Sequence, residues 1–465
     1  MMKRTMRRMA AAVLTAAMAG TLLGGCGGTG TQGTTAAASS AEKDNGGSTQ
    51  AADTNKEKQV VEFWYCSANE NATALFEKLF EEYNAEHDDY EFKYVGIANK
   101  DAKDKLAMAI ATDTMPDVFS TGFNSIMQYV AQDAVVPVDS YFEEWEDSDK
   151  LAKEVVDSLR RIGGGTLYAF PYAYNQDISW YNKKMFEENG IQVPVTQKEF
   201  LKLCEEYADP GAGTYFFSLR GNLPYDNLLA WLFTYADGAG YGGSYFDDNN
   251  NCIINKPEFV EALDAYADIY KNHWVSGDCV NNGFNEMVAE FGSGTAQYIM
   301  HNSSSRPSHE SNLGEGNYGV SKSLANDEGR YYNSALQSLL FAVSKKNGDD
   351  GDYTGAVELC KFLTSEKVLS ALCQFLGSVP VNTECYEADW FKNDEFMPLY
   401  QEILEDEKHQ SIQNPYWLPD YFTFIQNEMT TDFQAVLLGE MSSQEALDHW
   451  AETLTGYQKE YLEQE

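Results

Sequence analysis

From residue 59 onward, apolar and polar positions fall into short blocks of two different periods. Residues 59–65 (QVVEFWY) form a compact β-rich run, the pattern of a buried strand. After the polar stretch 67–71, Leu75, Phe76, Leu79, Phe80 and Tyr83 recur at i, i+1, i+4, i+5 and i+8, one apolar stripe of a helix. A second strand is predicted over 91–95 (EFKYV), a helix over 103–112 and a third strand over 117–120. Strand, helix, strand, helix, strand at this spacing predicts a parallel α/β unit. Ligands of such sheets gather beyond the carboxyl ends of the strands, which singles out the loops 66–71 and 121–124.

Further along, 168–172 and 178–181 are β-rich and separated by a polar break. Thr196 with Glu199 predicts a capping box ahead of Phe200, Leu201, Leu203, Cys204 and Tyr207. Pro257 opens another helix, whose face carries Leu263, Tyr266, Ile269 and Tyr270. A strand over 296–300 runs into the polar loop 301–305. Ser365 and Gly377 bracket one late helix, and Ser442 with Glu445 caps another.

The first 26 residues follow a different pattern. Lys3, Arg4, Arg7 and Arg8 precede the apolar run 10–23 and then Gly24, Gly25 and Cys26. A basic start, a short apolar stretch and small residues predict a secretory signal over 1–25. The run falls short of the roughly 20 residues that a spanning helix needs. Leu23-Gly24-Gly25-Cys26 resembles the bacterial lipobox, which implies a lipidated Cys26 as the new N-terminus; an ordinary signal before an unrelated cysteine is the plain alternative. Residues 26–58, rich in Gly, Ser, Thr and Ala, then form a flexible tether. The expected location is the outer face of the cell membrane, lipid-anchored.

Composition narrows the partners. The chain has 33 Lys+Arg against 72 Asp+Glu, a formal net charge of −39, and four of its cations fall in the signal. Such a surface repels phosphate backbones, so no nucleic-acid partner is expected. With 43% hydrophobic and 13% aromatic residues it is a folded chain rather than an acidic disordered one. Seven cysteines after Cys26, an odd count without CxxC spacing, read as buried free thiols, although a pair such as Cys252–Cys279 could still bridge. The motif 247–251 (DDNNN) has the acids of a calcium loop without its Gly and distal Glu; a hairpin turn is the better reading. No cofactor and no metal are expected.

The order of segments resembles the extracellular solute-binding lipoproteins of ABC importers, in their large sugar-binding family. The resemblance runs from about Val60 to Leu462. It is carried by Phe63-Trp64-Tyr65 before a long helix, Met115-Pro116-Asp117-Val118-Phe119, and Tyr168-Ala169-Phe170-Pro171-Tyr172 before Trp180-Tyr181-Asn182. Phe291-Gly292-Ser293-Gly294, Ala342-Val343-Ser344-Lys345-Lys346, Gly377-Ser378-Val379-Pro380 and Leu438-Gly439-Glu440 complete it. It implies an α/β, two-lobed periplasmic-binding-protein-like fold with a hinge, each lobe a mixed sheet flanked by helices. Lobe one would take 59–170 and 325–378, and lobe two 173–320 and 380–465. The crossings would lie near 170–174, 319–323 and 378–381. It also implies a monomer that binds a mono- or oligosaccharide without altering it, and partners in the permease subunits of an importer.

A sugar needs flat aromatic faces for its C–H side and fixed hydrogen-bond partners for its hydroxyls. The expected ligand residues of lobe one are Trp64, Tyr65, Asn69, Glu70, Ser120 and Asn124. Tyr172, Tyr174 and Asn175 stand at the crossing, Tyr172 and Tyr174 sharing one strand face by parity. Lobe two offers Arg220, Asn222, Trp231, Asn302 and Ser303, with Gln337 and Trp417 added. Two rival readings remain. One is the same fold holding a polyamine, peptide or cation; the other is a lipid-anchored glycoside hydrolase acting through two carboxylates. GxSxG, HExxH and GxxxxGK[ST] are missing from the sequence, so the serine-hydrolase, zincin and P-loop readings lack their motifs.

Overall fold

The computed structural model describes residues 58–463 apart from 238–241, 335, 347, 349 and 350. The expected signal, Cys26 and the tether before Lys58 lie outside the described residues. The described strands are β1 (Gln59–Tyr65), β2 (Tyr90–Gly96), β3 (Val118–Gly122), β4 (Phe170–Asn175), β5 (Ile178–Asn182) and β6 (Tyr215–Phe217). They continue with β7 (Ala296–His301), β8 (Tyr318–Ser321), β9 (Tyr331–Asn333), β10 (Gln337–Val343), β11 (Val379–Pro380) and β12 (His409–Ser411). The larger sheet has the order β2-β1-β3-β10-β4-β11, a second has the order β6-β7-β5-β8, and β9 pairs with β12.

The expected parallel unit is present, with β1 parallel to both β2 and β3. Helices Glu70–Glu86 and Asn99–Thr112 connect these strands. The stripe on the first helix explains its seat: Phe76 is fully buried against Phe63 at 5.3 Å and Tyr65 at 4.8 Å. Burying one such ring stabilises by about 1.5–3 kcal/mol. The second helix begins four residues before the sequence expectation, because Ala98 supplies an extended N-cap without a side-chain cap bond. Capping boxes form at Thr196/Glu199 and Ser442/Glu445. Ser365 stands at an N-cap position but donates its hydroxyl backwards to the Phe362 carbonyl, and Gly377 ends that helix in the left-handed region at φ 66°.

Strand β10 runs antiparallel to β3 and β4 and joins the parallel unit to the rest of its sheet. Its register with β4 shifts between Leu339, opposite Ala173, and Leu340, opposite Pro171. Tyr172 is thus the extra residue of a β-bulge, placed beside a proline that has no N–H to give. The chain passes from the larger sheet to the second through Gln176 and Asp177, returns between β8 and β10, and leaves again after β11. On the return, Ala325 bridges Thr196 and β9 pairs with β12.

The seven cysteines after Cys26 are free and buried, Cys252 and Cys279 among them. Segment 247–251 is a tight turn in which Asp247 Oδ1 accepts from the Asn249 and Asn251 amides, closed by the Phe246–Cys252 bridge.

Candidate functional site

The larger sheet reverses its strand order at β1, with β2 on one side and β3 on the other, and such a switch point opens a crevice at the strand ends. A cavity of about 460 Å³ lies there. One wall carries Cys66 and Ser67 after β1, Ser120, Thr121, Gly122 and Asn124 at the end of β3, and Tyr172 of the bulge. The first turns of helix Asn99–Thr112 add Asn99 and Lys103, and helix Ile126–Ala131 adds Gln128 and Tyr129. Phe422, Thr423 and Gln426 close it from the C-terminal segment. Beside the cavity Phe123 meets Tyr416 edge-on at 4.8 Å, so the wall after β3 touches the C-terminal segment directly.

The cavity floor is ordered by local bonds. Ser120 Oγ accepts from the Cys66 amide at 2.8 Å, which fixes the turn after β1. Burial pushes the Cys66 thiol up to about 11, so it stays protonated. The Tyr172 ring stacks on Phe341 at 4.1 Å and its carbonyl accepts from the Val381 amide at 3.1 Å. Hydroxyls, amides and aromatic rings dominate the lining. Among the described residues no aspartate or glutamate lines the cavity, and Lys103 is its one cation.

Of the expected ligand residues, Ser120, Asn124 and Tyr172 line this cavity. Tyr65, Tyr174 and Trp231 do not: each is buried in the core. Tyr65 packs on Phe76, and the Trp231 indole donates to the Ala262 carbonyl at 2.9 Å. The parity argument for Tyr172 and Tyr174 fails because the bulge interrupts the alternation between them. Trp64 donates to Glu62 Oε1 at 2.8 Å. Asn69 caps helix Glu70–Glu86, accepting from the Ala72 amide, and Glu70 is exposed in its first turn. Arg220 is half-buried and donates through Nε to the Asn222 carbonyl, and Asn222 itself is exposed. Trp417 donates to Gln458 and lines a separate groove with Met127, Tyr457 and Tyr461.

The remaining four, Asn175, Asn302, Ser303 and Gln337, come together. Asn175 and Gln337 are cross-strand partners in the larger sheet. Asn302 and Ser303 follow β7 of the second sheet. Asn302 Nδ2 donates to Gln337 Oε1 at 2.6 Å, and Ser303 Oγ donates to Asn175 Oδ1 at 2.9 Å. Two neighbouring side chains of one sheet thus clasp a cross-strand pair of the other. Beneath the clasp Gln337 Nε2 donates to Asp226 Oδ2 at 2.9 Å and faces Asp177 Oδ1 at 3.4 Å.

Sequence reasoning missed Asn99, Lys103, Gln128, Tyr129, Phe422, Thr423 and Gln426 as cavity residues, and Asp177 and Asp226 altogether. The flagged loops 66–71 and 121–124 contribute Cys66, Ser67, Thr121, Gly122 and Asn124 to the lining. Nothing in the pattern around Phe422 separates it from a core helix.

A family model described as bacterial extracellular solute-binding protein matches residues 78–398. The mannitol-binding protein of Pseudomonas aeruginosa is 28% identical over 232 residues, which cover 49% of this chain and 52%, about half, of that relative. The sn-glycerol-3-phosphate-binding periplasmic protein UgpB of Agrobacterium fabrum is 26% identical over 438 residues, 83% of this chain and 90% of the relative. In structure the chain is similar to the sugar-binding protein MalE from Xanthomonas citri, with a TM-score of 0.70 at 20% identity, covering 88% of this chain and all of that one. That likeness shows a shared two-lobed periplasmic-binding-protein fold.

Proposed function

This chain belongs to the bacterial extracellular solute-binding protein family, and from that premise we propose that it captures a sugar or polyol outside the cell and delivers it to an ABC importer, without chemistry on the solute. The observation that carries this reading is the lining of the switch-point cavity. In a chain with 72 carboxylates, its described lining holds none, yet is rich in Ser, Thr, Asn and Gln with Tyr129 and Phe422 as half-buried aromatic faces. Hydroxyl-rich neutral rings need such partners. A polyamine needs counter-charges that this lining lacks, which disfavours the polycation alternative.

The larger sheet forms the core of one lobe and the four-stranded sheet that of the other, and 325–333 moves with the second, to which its bridges connect it. Closure brings Phe422, Thr423 and Gln426 over the strand ends. A lipid on Cys26 holds the mature chain at the outer face of the membrane as a monomer.

Lys103 favours one second reading, a polyol that carries a phosphate, the solute class of the Agrobacterium relative. Calorimetric titration against mannitol, maltose, longer oligosaccharides and glycerol 3-phosphate separates the two. Saturable heat with a neutral sugar, recovered unchanged, supports the main reading. Heat with glycerol 3-phosphate alone selects the second, and hydrolysed sugar overturns both.

A further inference from the structure

The clasp has an acidic floor that sugar binding does not use. Asp177 lies where the chain first passes between the sheets, and Asp226 lies in the first turn of helix Tyr225–Tyr235. Both side chains are buried, and both face the same amide, Gln337 Nε2. That amide cannot turn over. The Ser304 N–H donates to Asn302 Oδ1 at 3.0 Å, so Asn302 presents its NH2 group to Gln337 Oε1. Gln337 is thereby left with only N–H groups to offer the two acids. A relay fixed at a backbone amide thus sets the polarity of the whole row.

The row satisfies one oxygen of each carboxylate. Asp177 Oδ2 and Asp226 Oδ1 have no hydrogen-bond partner. Two ionised carboxylates cannot share such a site, because burial and mutual repulsion both oppose the second charge. The other groups facing the pair are Arg220 and the hydroxyls of Tyr225 and Ser334 beside Asp226, Tyr400 near Asp177, and Tyr416 and Tyr421 of the C-terminal segment near Asp226. Arg220 is the one cation among them, half-buried and turned to the Asn222 carbonyl. His301, close to Arg220, is held neutral by burial and adds no charge.

We propose that Asp177 and Asp226 hold one proton between them while Asn302 clasps Gln337, and that closing the lobes takes this proton up from solution. In the closed form one acid is neutral and the other is ionised opposite Arg220. Opening draws Gln337, on the larger sheet, away from Asp226, on the second; water reaches both acids and the proton leaves. Solute capture is then favoured by an acidic exterior. The electrostatics agree in direction: burial raises both acids, Asp177 well above the usual range and Asp226 to about 6. The idea rests on the reading of two lobes that close, but not on which solute they close on.

The test therefore uses the whole mature protein without any solute. Infrared spectra in heavy water at about pH 7 should contain the carbonyl stretch of a buried, protonated carboxylic acid. The band should be lost in Asp177→Asn, which leaves Asp226 alone opposite Arg220, and in Asp226→Asn it should titrate away at lower pH than in the wild type, because Asp177 keeps its burial but no longer faces a like charge. Small-angle scattering should show the wild type expanding between about pH 5.5 and 8.5, and the Asp177→Asn/Asp226→Asn double variant keeping one radius across that range. If the wild type lacks the acid band at neutral pH, or its radius ignores pH, the shared proton or its link to closure is wrong. Either result leaves the sugar reading untouched. Failure of the sugar panel leaves both measurements intact.

Discussion

Asn302 Nδ2 and Gln337 Oε1 lie 2.6 Å apart, joining the loop after β7 to the first residue of β10. With the Ser303–Asn175 bond, this contact ties the two larger sheets together at the passage between them. It also aligns the amide that faces Asp177 and Asp226. Changing Asn302 to Ala leaves Gln337 Oε1 without its donor and frees the amide to rotate. The expected loss is about 1–2 kcal/mol of stability, read as a lower midpoint in thermal unfolding. Asn302→Asp places another acid above the pair, and its midpoint should fall further at pH 8 than at pH 5.

Phe422 should separate binding from folding. Its ring is half-buried and covers the cavity from the C-terminal side, so Phe422→Ala removes a stacking face without opening the core. Affinity for the sugar identified by the titration panel should drop about tenfold, equivalent to about 1.4 kcal/mol, while the unfolding midpoint barely moves. Phe76→Ala, in the core of the larger sheet, should cost about 3–5 kcal/mol of stability. Equal effects of the two changes on affinity and stability would remove Phe422 from the site.

His309 should make the fold acid-sensitive. It is buried between Trp180 and Phe291, with ring centroids at 4.8 Å from each, and Nε2 bonds Ser305 Oγ at 3.0 Å. Burial lowers its pKa from 6.5 to about 4. The unfolded chain then takes up a proton below about pH 6.5 that the folded chain refuses until about pH 4, so stability falls as pH drops through that window. His309→Phe keeps the ring packing and removes this contribution. The variant should lose less in unfolding midpoint between pH 7 and pH 4.5 than the wild type does.

The anchor has a simple readout. Cys26→Ala expressed with the whole chain should appear in the culture supernatant or the soluble extracytoplasmic fraction, with unchanged solute affinity. Retention in washed membranes would contradict the anchor.

The parallel unit was legible because its signals are local. The stripe from Leu75 to Tyr83 and the runs at β1 and β2 need no distant partner to be recognised, and the crevice follows from strand order. The single aromatic residues were not legible. Trp64, Tyr65, Tyr174 and Trp231 look alike in sequence, and what divides core from cavity is a bulge at Tyr172 and the packing of helices far along the chain. Asn175, Asn302, Ser303 and Gln337 each read as facing a ligand from separate stretches of the chain, and they converge, but on each other. Asp177 and Asp226 escaped notice because one more acid among 72 has no signal until burial singles it out.

The bulge at Tyr172 couples two events in one residue. It lines the cavity, and its carbonyl accepts from the Val381 amide where the chain departs after β11. A tilt of the departing strand is therefore transmitted to the aromatic face through a single peptide unit. The angle between the lobes and the shape of the cavity floor become one mechanical coordinate, so a substitution that stiffens either should be felt as a change in the other.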